Sequence, residues 1–343
     1  MSVIDRRTDG EGGGAAGSVV VLGATGFVGR HVCEVFAAAG WTVTGVARNT
    51  AADPATPYEN IPLDVVRTEP GRIAELLAQR DAGAVVNAAG AVWQATEDEM
   101  NLANAGLVER LLSAVSLLDA RPRLVQLGSV HEYGPVPRTG ITEDVPTAPV
   151  TPYGRSKLAG ARALLDAVAA GEAAGLVLRI SNVSGPGTPR ASLLGMVAHH
   201  LATAAPDPLR LAPLLAHRDF VDVRDVADAA LAAARGSQVS GRVVNIGGGQ
   251  ATSVRALVAR LTELAGASAG IVEAPVTGGR PPEAEWQRMD IQLARTLLGW
   301  RPRRTLDDSL RDLLAHARDA ADRESLSSAL QVAPSTMTAS GHR

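Results

Sequence analysis

Tyr153 and Lys157 stand four residues apart in TPYGRSKLAG, a segment that opens a helix, so both side chains project from one face. That pairing suits proton transfer. A phenol, which ordinarily titrates at about pH 10, is a poor acid-base group at neutral pH. An ammonium about 5 Å away, at an effective dielectric of about 20, would favour phenolate by roughly 3 kcal/mol, or about two pKa units. The lysine is singular: of 33 basic residues, 32 are Arg and only Lys157 is Lys. A guanidinium there would be too large to aim one compact charge at both a tyrosine and a ribose. Upstream, the apolar run Leu124 to Leu127 ends in Gly128 and Ser129, within QLGSVHEYG. A hydroxyl at the carboxyl end of a strand can hydrogen-bond an oxygen that alternates between carbonyl and alkoxide. Ser129, Tyr153 and Lys157 are therefore the expected catalytic residues.

A second constellation handles phosphate. Gly23, Gly26 and Gly29 form GATGFVG between an apolar strand and a helix. The first glycine makes a tight turn, the second admits a pyrophosphate to the backbone, and the third lets the helix pack on the sheet. Exposed N–H groups and the helix dipole attract the anion. The turn, with Thr25, Phe27 and Val28, is the expected cofactor cradle, joined by Ala88 and Ala89 after the strand Ala84 to Asn87. An acidic residue at the end of the second strand would accept from the adenosine ribose and repel a 2′-phosphate. Here Ala47 and Arg48 occupy that place. An Arg about 4 Å from a phosphate charge contributes roughly 4 kcal/mol at an effective dielectric of about 20, less where salt screens it. NADP(H) is the expected cofactor, with NAD(H) as the alternative, and Asp64 is expected at the adenine edge.

These residues need a scaffold. Val19 to Leu22, Thr42 to Val46, Ala84 to Asn87, Leu124 to Leu127 and Leu176 to Ile180 read as short buried strands. Between them, Arg30 to Ala39, Ile73 to Leu77, Leu107 to Leu118 and Lys157 to Ala170 read as helices. Such alternation predicts an α/β fold, a doubly wound parallel sheet of Rossmann type. Past Ile180, clusters of Pro and Gly suit a smaller, loop-rich substrate lobe. The expected division is 18–180 with 216–247 for the dinucleotide and 181–215 with 248–324 for the substrate. Residues 1–17 and 325–343 read as disordered tails.

Composition narrows the class further. With 343 residues and 46% of them hydrophobic, the chain can bury a large core. A net charge of −3 lacks the basic footprint of nonspecific nucleic-acid or anionic-membrane binding. A single cysteine, Cys33, excludes a disulfide framework and any multi-cysteine metal site. No apolar run reaches the roughly 18 residues of a membrane span. The N-terminus lacks the basic segment and apolar core of a signal peptide, so a cytoplasmic protein without membrane or nucleic-acid partners is expected.

GATGFVG, the Ser129 segment ending in Tyr133-Gly134, YGRSK, RISNVSGPG, RDFVDVRDVADA and LGWRPR recur in the order found in one family. From about Val19 to Leu314 the sequence resembles the extended short-chain dehydrogenase/reductases, specifically the NAD-dependent epimerase/dehydratase group acting on nucleotide sugars. The resemblance implies that Ser129, Tyr153 and Lys157 act together, that Lys157 also holds the nicotinamide ribose, and that Asn104 supports the site. It also implies that Asn182, Arg218 and Arg280 contact a nucleotide diphosphate; guanidinium forks suit phosphate oxygens. A homodimer is common in this family.

Two departures bear on the reaction. The 4,6-dehydratases of the family carry an Asp-Glu pair after the catalytic hydroxyl residue, where this chain has Val130 and His131. Val130 cannot transfer a proton, which speaks against dehydration; His131 could contact the sugar or only be a hydrogen-bonded histidine. The usual Tyr of NVYGPG is Ser184, which changes local packing. The triad serves ketoreduction and 4-epimerisation alike. An epimerase can retain one cofactor, whereas a net reductase must exchange it, so Ala47-Arg48 favours NADPH-dependent reduction of a nucleotide-linked 4-keto-6-deoxyhexose. As a whole the sequence looks like the deoxysugar 4-ketoreductases of antibiotic glycosylation pathways. A nucleotide-sugar 4-epimerase and a noncatalytic cofactor sensor are the alternatives.

Overall fold

Seven strands, five of them the apolar runs read from the sequence, hydrogen-bond into one parallel sheet in the computed structural model, which describes residues 17–50, 56–92, 94–203, 207–236, 239–266, 270–275 and 285–332. The strands are β1 (Ser18–Leu22), β2 (Thr42–Ala47), β3 (Glu59–Pro62), β4 (Ala84–Asn87), β5 (Arg123–Ser129), β6 (Ala174–Ile180) and, after four short strands outside this sheet, β11 (Val243–Ile246). Their spatial order is β11-β6-β5-β4-β1-β2-β3. The strand order therefore reverses between β1 and β4, the place where an open parallel sheet forms a crevice beyond its carboxyl ends.

The crossovers are helical: α1 (Phe27–Ala38), α2 (Pro70–Gln79), α3 (Glu97–Asn101) continuing through a π-helical turn at Leu102–Gly106 into α4 (Leu107–Ser116), and α5 (Pro152–Ala169). Side chains alternate across a strand. Val19 and Val21 accordingly join one core with Val32, Cys33 and Phe36 of α1. Val20 and Leu22 join a second, with Ile73, Leu111 and Leu164 of α2, α4 and α5. Both faces are covered, which is why the strands read as continuous apolar runs rather than alternating ones.

The remaining chain supplies β7 (Asn182–Ser184), α6 (Leu193–Ala202), β8 (Leu209–Leu211), β9 (His217–Arg218), β10 (Phe220–Asp222), α7 (Val223–Arg235), β12 (Thr252–Ser253), α8 (Val254–Ala265), β13 (Ile271–Glu273), α9 (Gln292–Leu298) and α10 (Leu306–Val332). The helix α7 returns to the first core through Val226, Ala227 and Ala230. A third core gathers Val197 of α6, Leu257 and Leu261 of α8, and Leu310 and Leu313 of α10.

Several boundaries differ from those read in the sequence. The helix α5 starts at Pro152, five residues before the expected Lys157: Thr151 caps it, its hydroxyl accepting from the Gly154 N–H at 3.0 Å, and proline fits the first turn. Apolar periodicity missed this turn because it holds Pro152, Tyr153, Gly154, Arg155 and Ser156, with no Ala, Val, Leu, Ile or Met among them. The helix α1 likewise begins earlier, at Phe27 rather than Arg30, its first turn lying within the glycine motif. At the termini, the Gly17 carbonyl already accepts from Thr42 N–H, and α10 runs to Val332, into the segment expected to be a tail from Ser325. No Gly or Pro interrupts the sequence before Pro334, and Ala, Leu and Gln are compatible with helix. Residues 1–16 and 333–343 lie outside the described residues.

Cys33 is fully buried in α1, and burial pushes its thiol up to about 12. A protonated thiol in a packed core is inert. The native protein is therefore expected to resist iodoacetamide at pH 8 and to take up one equivalent per chain once unfolded in guanidinium; stoichiometric labelling of the native state, read by intact mass, would contradict this packing.

Candidate active site

Close backbone approach shapes the end of β1. Gly23 has φ +79°, and a Cβ on it would lie 2.8 Å from the Ala89 backbone nitrogen. A Cβ on Gly29 would lie 2.0 Å from the Gly23 carbonyl oxygen, so α1 can meet the turn only through glycine. Gly26 precedes α1 as its N-cap and makes no side-chain cap, which leaves the first-turn N–H groups to other acceptors. Thr25 is exposed on the turn. These features fit a dinucleotide pyrophosphate: a cradle that side chains would fill, and donors that no side chain covers.

A cleft of about 480 Å³ runs from this turn. Its walls include Gly26, Phe27, Val28, Ala88 and Ala89 on one side, Ser129, Tyr153 and Lys157 on the floor, and His131, Asn182 and Arg218 toward the later elements. Ser129 ends β5 and caps the 3₁₀ turn Val130–Glu132, accepting from the His131 N–H. The helix α5 lies close over this point because two glycines permit it: a Cβ on Gly154 would be 2.4 Å from the His131 carbonyl oxygen, and one on Gly160 would be 2.4 Å from that of Asn104. Asn104, buried in the π-helical turn, donates to the Ala91 carbonyl and the Ser156 hydroxyl, both at 2.9 Å, and accepts from the Ala91 N–H at 3.0 Å.

The electrostatics differ from the sequence expectation. Burial, not the lysine, dominates Tyr153 and pushes its phenol up to about 12; interaction with Ser129 pulls it down and the Glu132 charge pushes it further up. The Lys157 ammonium donates to the Leu127 carbonyl. Burial holds Lys157 below its ordinary value while Glu132 opposes that shift. The His131 ring stands edge-on to Tyr153, centroids 5.8 Å apart, and burial lowers its pKa.

Toward the substrate side, Asn182 of β7 donates to the Asp219 carbonyl and to Gln287 Oε1, both at 2.9 Å. Gln287 donates to Glu285 Oε1, and the other Glu285 oxygen pairs with Arg218. Arg218 Nε is buried without a hydrogen-bond partner, a donor available to an anion. Ser184 is fully buried, with its hydroxyl 2.7 Å from that of Ser309 on α10. Two short side chains thus meet where the family's motif has tyrosine. Arg48 stands exposed just past β2, and Asp64 folds onto its own turn, accepting from Val66 N–H at 3.2 Å. Neither lines the 480 Å³ cleft. Arg280 lies outside the described residues.

Sequence reading missed Glu285, Gln287, Glu132 and Arg179. The last two form a buried ion pair at 2.7 Å under the cleft floor. A Glu three residues after Ser129, at the end of a buried strand, was the available signal, since a charge there must find a partner.

A parallel sheet of this order, with a glycine turn at its switch point and Ser, Tyr and Lys gathered in the adjoining cleft, defines a class: the extended short-chain dehydrogenase/reductases, NAD(P)-dependent oxidoreductases. More particularly, residues 19–247 match the NAD dependent epimerase/dehydratase family, and the chain belongs to that family. It is 44% identical to dTDP-6-deoxy-L-talose 4-dehydrogenase (NAD(P)(+)) of Kitasatospora kifunensis, over 87% of this chain and 95% of the relative. It is 30% identical to UDP-glucose 4-epimerase of Azospirillum brasilense, over 89% and 93% of the two chains. Among solved structures, RMD from Pseudomonas aeruginosa complexed with NADPH superposes with TM-score 0.73 at 25% identity, covering 88% of this chain and 99% of the other. Among the described residues no helix is long and apolar enough to cross a membrane.

If the diphosphate takes the Arg218 guanidinium that Glu285 now pairs, Glu285→Gln should tighten binding of a nucleoside diphosphate by about two- to five-fold, the range of a half-exposed ion pair worth less than about 1 kcal/mol. Isothermal titration with dTDP and UDP checks this; weaker binding would mean that Glu285 holds Arg218 in place rather than blocking it.

Proposed function

We propose that the protein reduces the keto group of a nucleotide-linked 4-keto-6-deoxyhexose with NADPH. The observation that carries this reading is the shared cleft of Ser129, Tyr153 and Lys157 beside the glycine turn. The relative at 44% identity, named for 4-dehydrogenation of a dTDP-6-deoxy sugar, supports the substrate class, because oxidation of that carbinol is the same reaction in reverse.

When bound, the reduced nicotinamide supplies hydride to the carbonyl carbon. Tyr153 gives its hydroxyl proton to the carbonyl oxygen as negative charge builds there, and its high pKa keeps that proton in place at neutral pH. The Ser129 hydroxyl donates to the same oxygen. Lys157 stabilises the phenolate that remains and binds the ribose hydroxyls. Gly23, Thr25, Gly26, Phe27, Val28, Gly29, Ala88 and Ala89 hold the cofactor, with Asp64 toward the adenine. Arg48, in the place of a ribose-binding acid, favours the 2′-phosphate. Asn182, Arg218 and His131 receive the nucleotide sugar, with Arg280 a further phosphate ligand; the unpartnered Nε of Arg218 supports an anionic substrate. Residues 181–215 and 248–324 form the lobe that admits it.

Buried Val130 offers no proton where the dehydratases use a carboxyl group, which supports reduction over elimination. The second reading, a 4-epimerase, draws on the 30% identical UDP-glucose 4-epimerase. It requires NAD that survives purification and no net consumption of NADPH.

Two variants test the first reading. Tyr153→Phe should leave the NADPH dissociation constant within about two-fold and lower kcat at least about 1,000-fold, of the order expected when the proton donor is lost together with its positioning. Arg48→Ala should raise KM for NADPH about ten-fold and leave that for NADH unchanged. Titration of NADPH fluorescence reads the dissociation constant, and absorbance at 340 nm, followed against a panel of nucleotide 4-keto sugars, reads kcat and KM; wild-type protein inactive on the whole panel would defeat the assignment.

A further inference from the structure

Beneath the cleft floor lies a charge that proton transfer does not itself require. Glu132 is completely buried, three residues after Ser129 on the 3₁₀ turn. One of its carboxylate oxygens accepts from the Ser129 backbone N–H at 2.7 Å, and the other accepts from Arg179 Nε of β6 at 2.7 Å. The Arg179 guanidinium in turn lies over the Tyr133 ring, 4.5 Å from its centroid. Tyr133 donates to Asn245 of β11 at 2.8 Å. The backbone was shaped to admit this carboxylate: a Cβ on Gly128 would come within 2.5 Å of the Glu132 oxygen. A valine or leucine pair of similar size would avoid desolvating two charges, so a purely structural account leaves their presence unexplained.

Resting on the reaction assigned above, we propose that Glu132 is a positioning residue for catalysis: clamped by Arg179, it fixes the Ser129 backbone and holds its carboxylate there, two residues from the Leu127 carbonyl that binds the Lys157 ammonium. Lys157 is buried, and a buried ammonium tends to shed its proton unless an anion is near. The other ionisable groups that meet this cluster among the described residues are His131, whose ring meets Tyr153, Arg179, already committed to Glu132, Tyr133 beneath the Arg179 guanidinium, and Glu143, which accepts from the Asn245 N–H and acts on Tyr133. The Glu97–Arg155 pair on the neighbouring turn of α5 is half-exposed and satisfies itself at 2.9 Å. Glu132 thus opposes the downward shift that burial imposes on Lys157, and its field adds to the burial that favours the proton on Tyr153.

The test separates charge from packing and needs no substrate in one arm. Tyrosinate absorbance near 295 nm is titrated from pH 8 to 11 without added cofactor, in Glu132→Gln, Glu132→Asp and the pair Glu132→Met/Arg179→Met, each also made with Tyr153→Phe. Removing the negative charge lowers the phenol pKa, so the Gln and Met/Met variants should ionise one additional tyrosine in this range, and the Tyr153→Phe background should abolish that increment. Glu132→Asp keeps the charge and should titrate as wild type. In the second arm, kcat for keto-sugar reduction should fall at least ten-fold in the Gln and Met/Met variants with KM within two-fold, and less in Glu132→Asp. Glu132→Gln leaves Arg179 unpaired and could fail to fold; the Met/Met variant, which leaves no charge alone, then decides. Wild-type titration in that variant overturns the proposal, and so does a fall in kcat with the titration unmoved, since that outcome describes packing alone. A wild-type protein that reduces no keto sugar would defeat the assigned reaction while leaving the titration arm to decide on Glu132.

Discussion

The contact on which the site depends is the backbone-to-backbone approach of α5 to the turn after β5 and to the π-helical turn before α4. Gly154 lies against the His131 carbonyl and Gly160 against that of Asn104, and neither place has room for a methyl group. Helices normally stand off by the width of their side chains, about 8–10 Å between axes. Here the missing Cβ atoms bring the helix down until Tyr153 and Lys157 share a cleft with Ser129. The Thr151 cap fixes the rotation of the first turn, and with it the direction of the phenol. Asn104 clamps the same helix from below through Ser156.

The same economy of space explains the charge pattern. Parallel strands bury both faces, so a polar group beneath the cleft must be satisfied by protein. Glu132, Arg179, Tyr133 and Asn245 form such a chain from β5 to β11. Asp219 is another buried carboxylate: it accepts from the N–H groups of Gly248, Gly249 and Met289, yet burial still pushes it up to about 6. It ties β10 and its preceding turn to the glycine loop after β11. Both networks lie outside the proton-transfer residues and both hold loops that line or flank the cleft.

Much of this was legible in the sequence. The five strands named from their apolar runs are present, and Ala84–Asn87 has the bounds that its composition suggested. The glycine turn announced itself because φ > 0 and close packing admit no other residue at Gly23. What escaped notice was of two kinds. The starts of α1 and α5 lie within the glycine motif and the Tyr153 motif, where Gly29, Pro152, Gly154 and Ser156 interrupt the apolar period that marks a helix against a core. Partners such as Glu132 and Arg179, or Arg218 and Glu285, are 47 and 67 residues apart, and no local pattern pairs them. The expected acidification of Tyr153 by Lys157 went astray for a related reason: spacing along a helix gives proximity but not burial, and burial sets this phenol.

The last helix carries a consequence for how the molecule is made. Ser309 satisfies the otherwise enclosed hydroxyl of Ser184, Asp312 engages Arg224 at the start of α7, and Asp307 engages Arg260 on α8. Leu310, Leu313 and Leu314 complete the core over α6 and α8. A nascent chain emerging from the ribosome can assemble the β1–β6 sheet early, because those strands are contiguous in synthesis. The core shared by α6 and α8 must instead wait for α10, so the growing polypeptide can complete the sheet and its glycine turn before that second core closes.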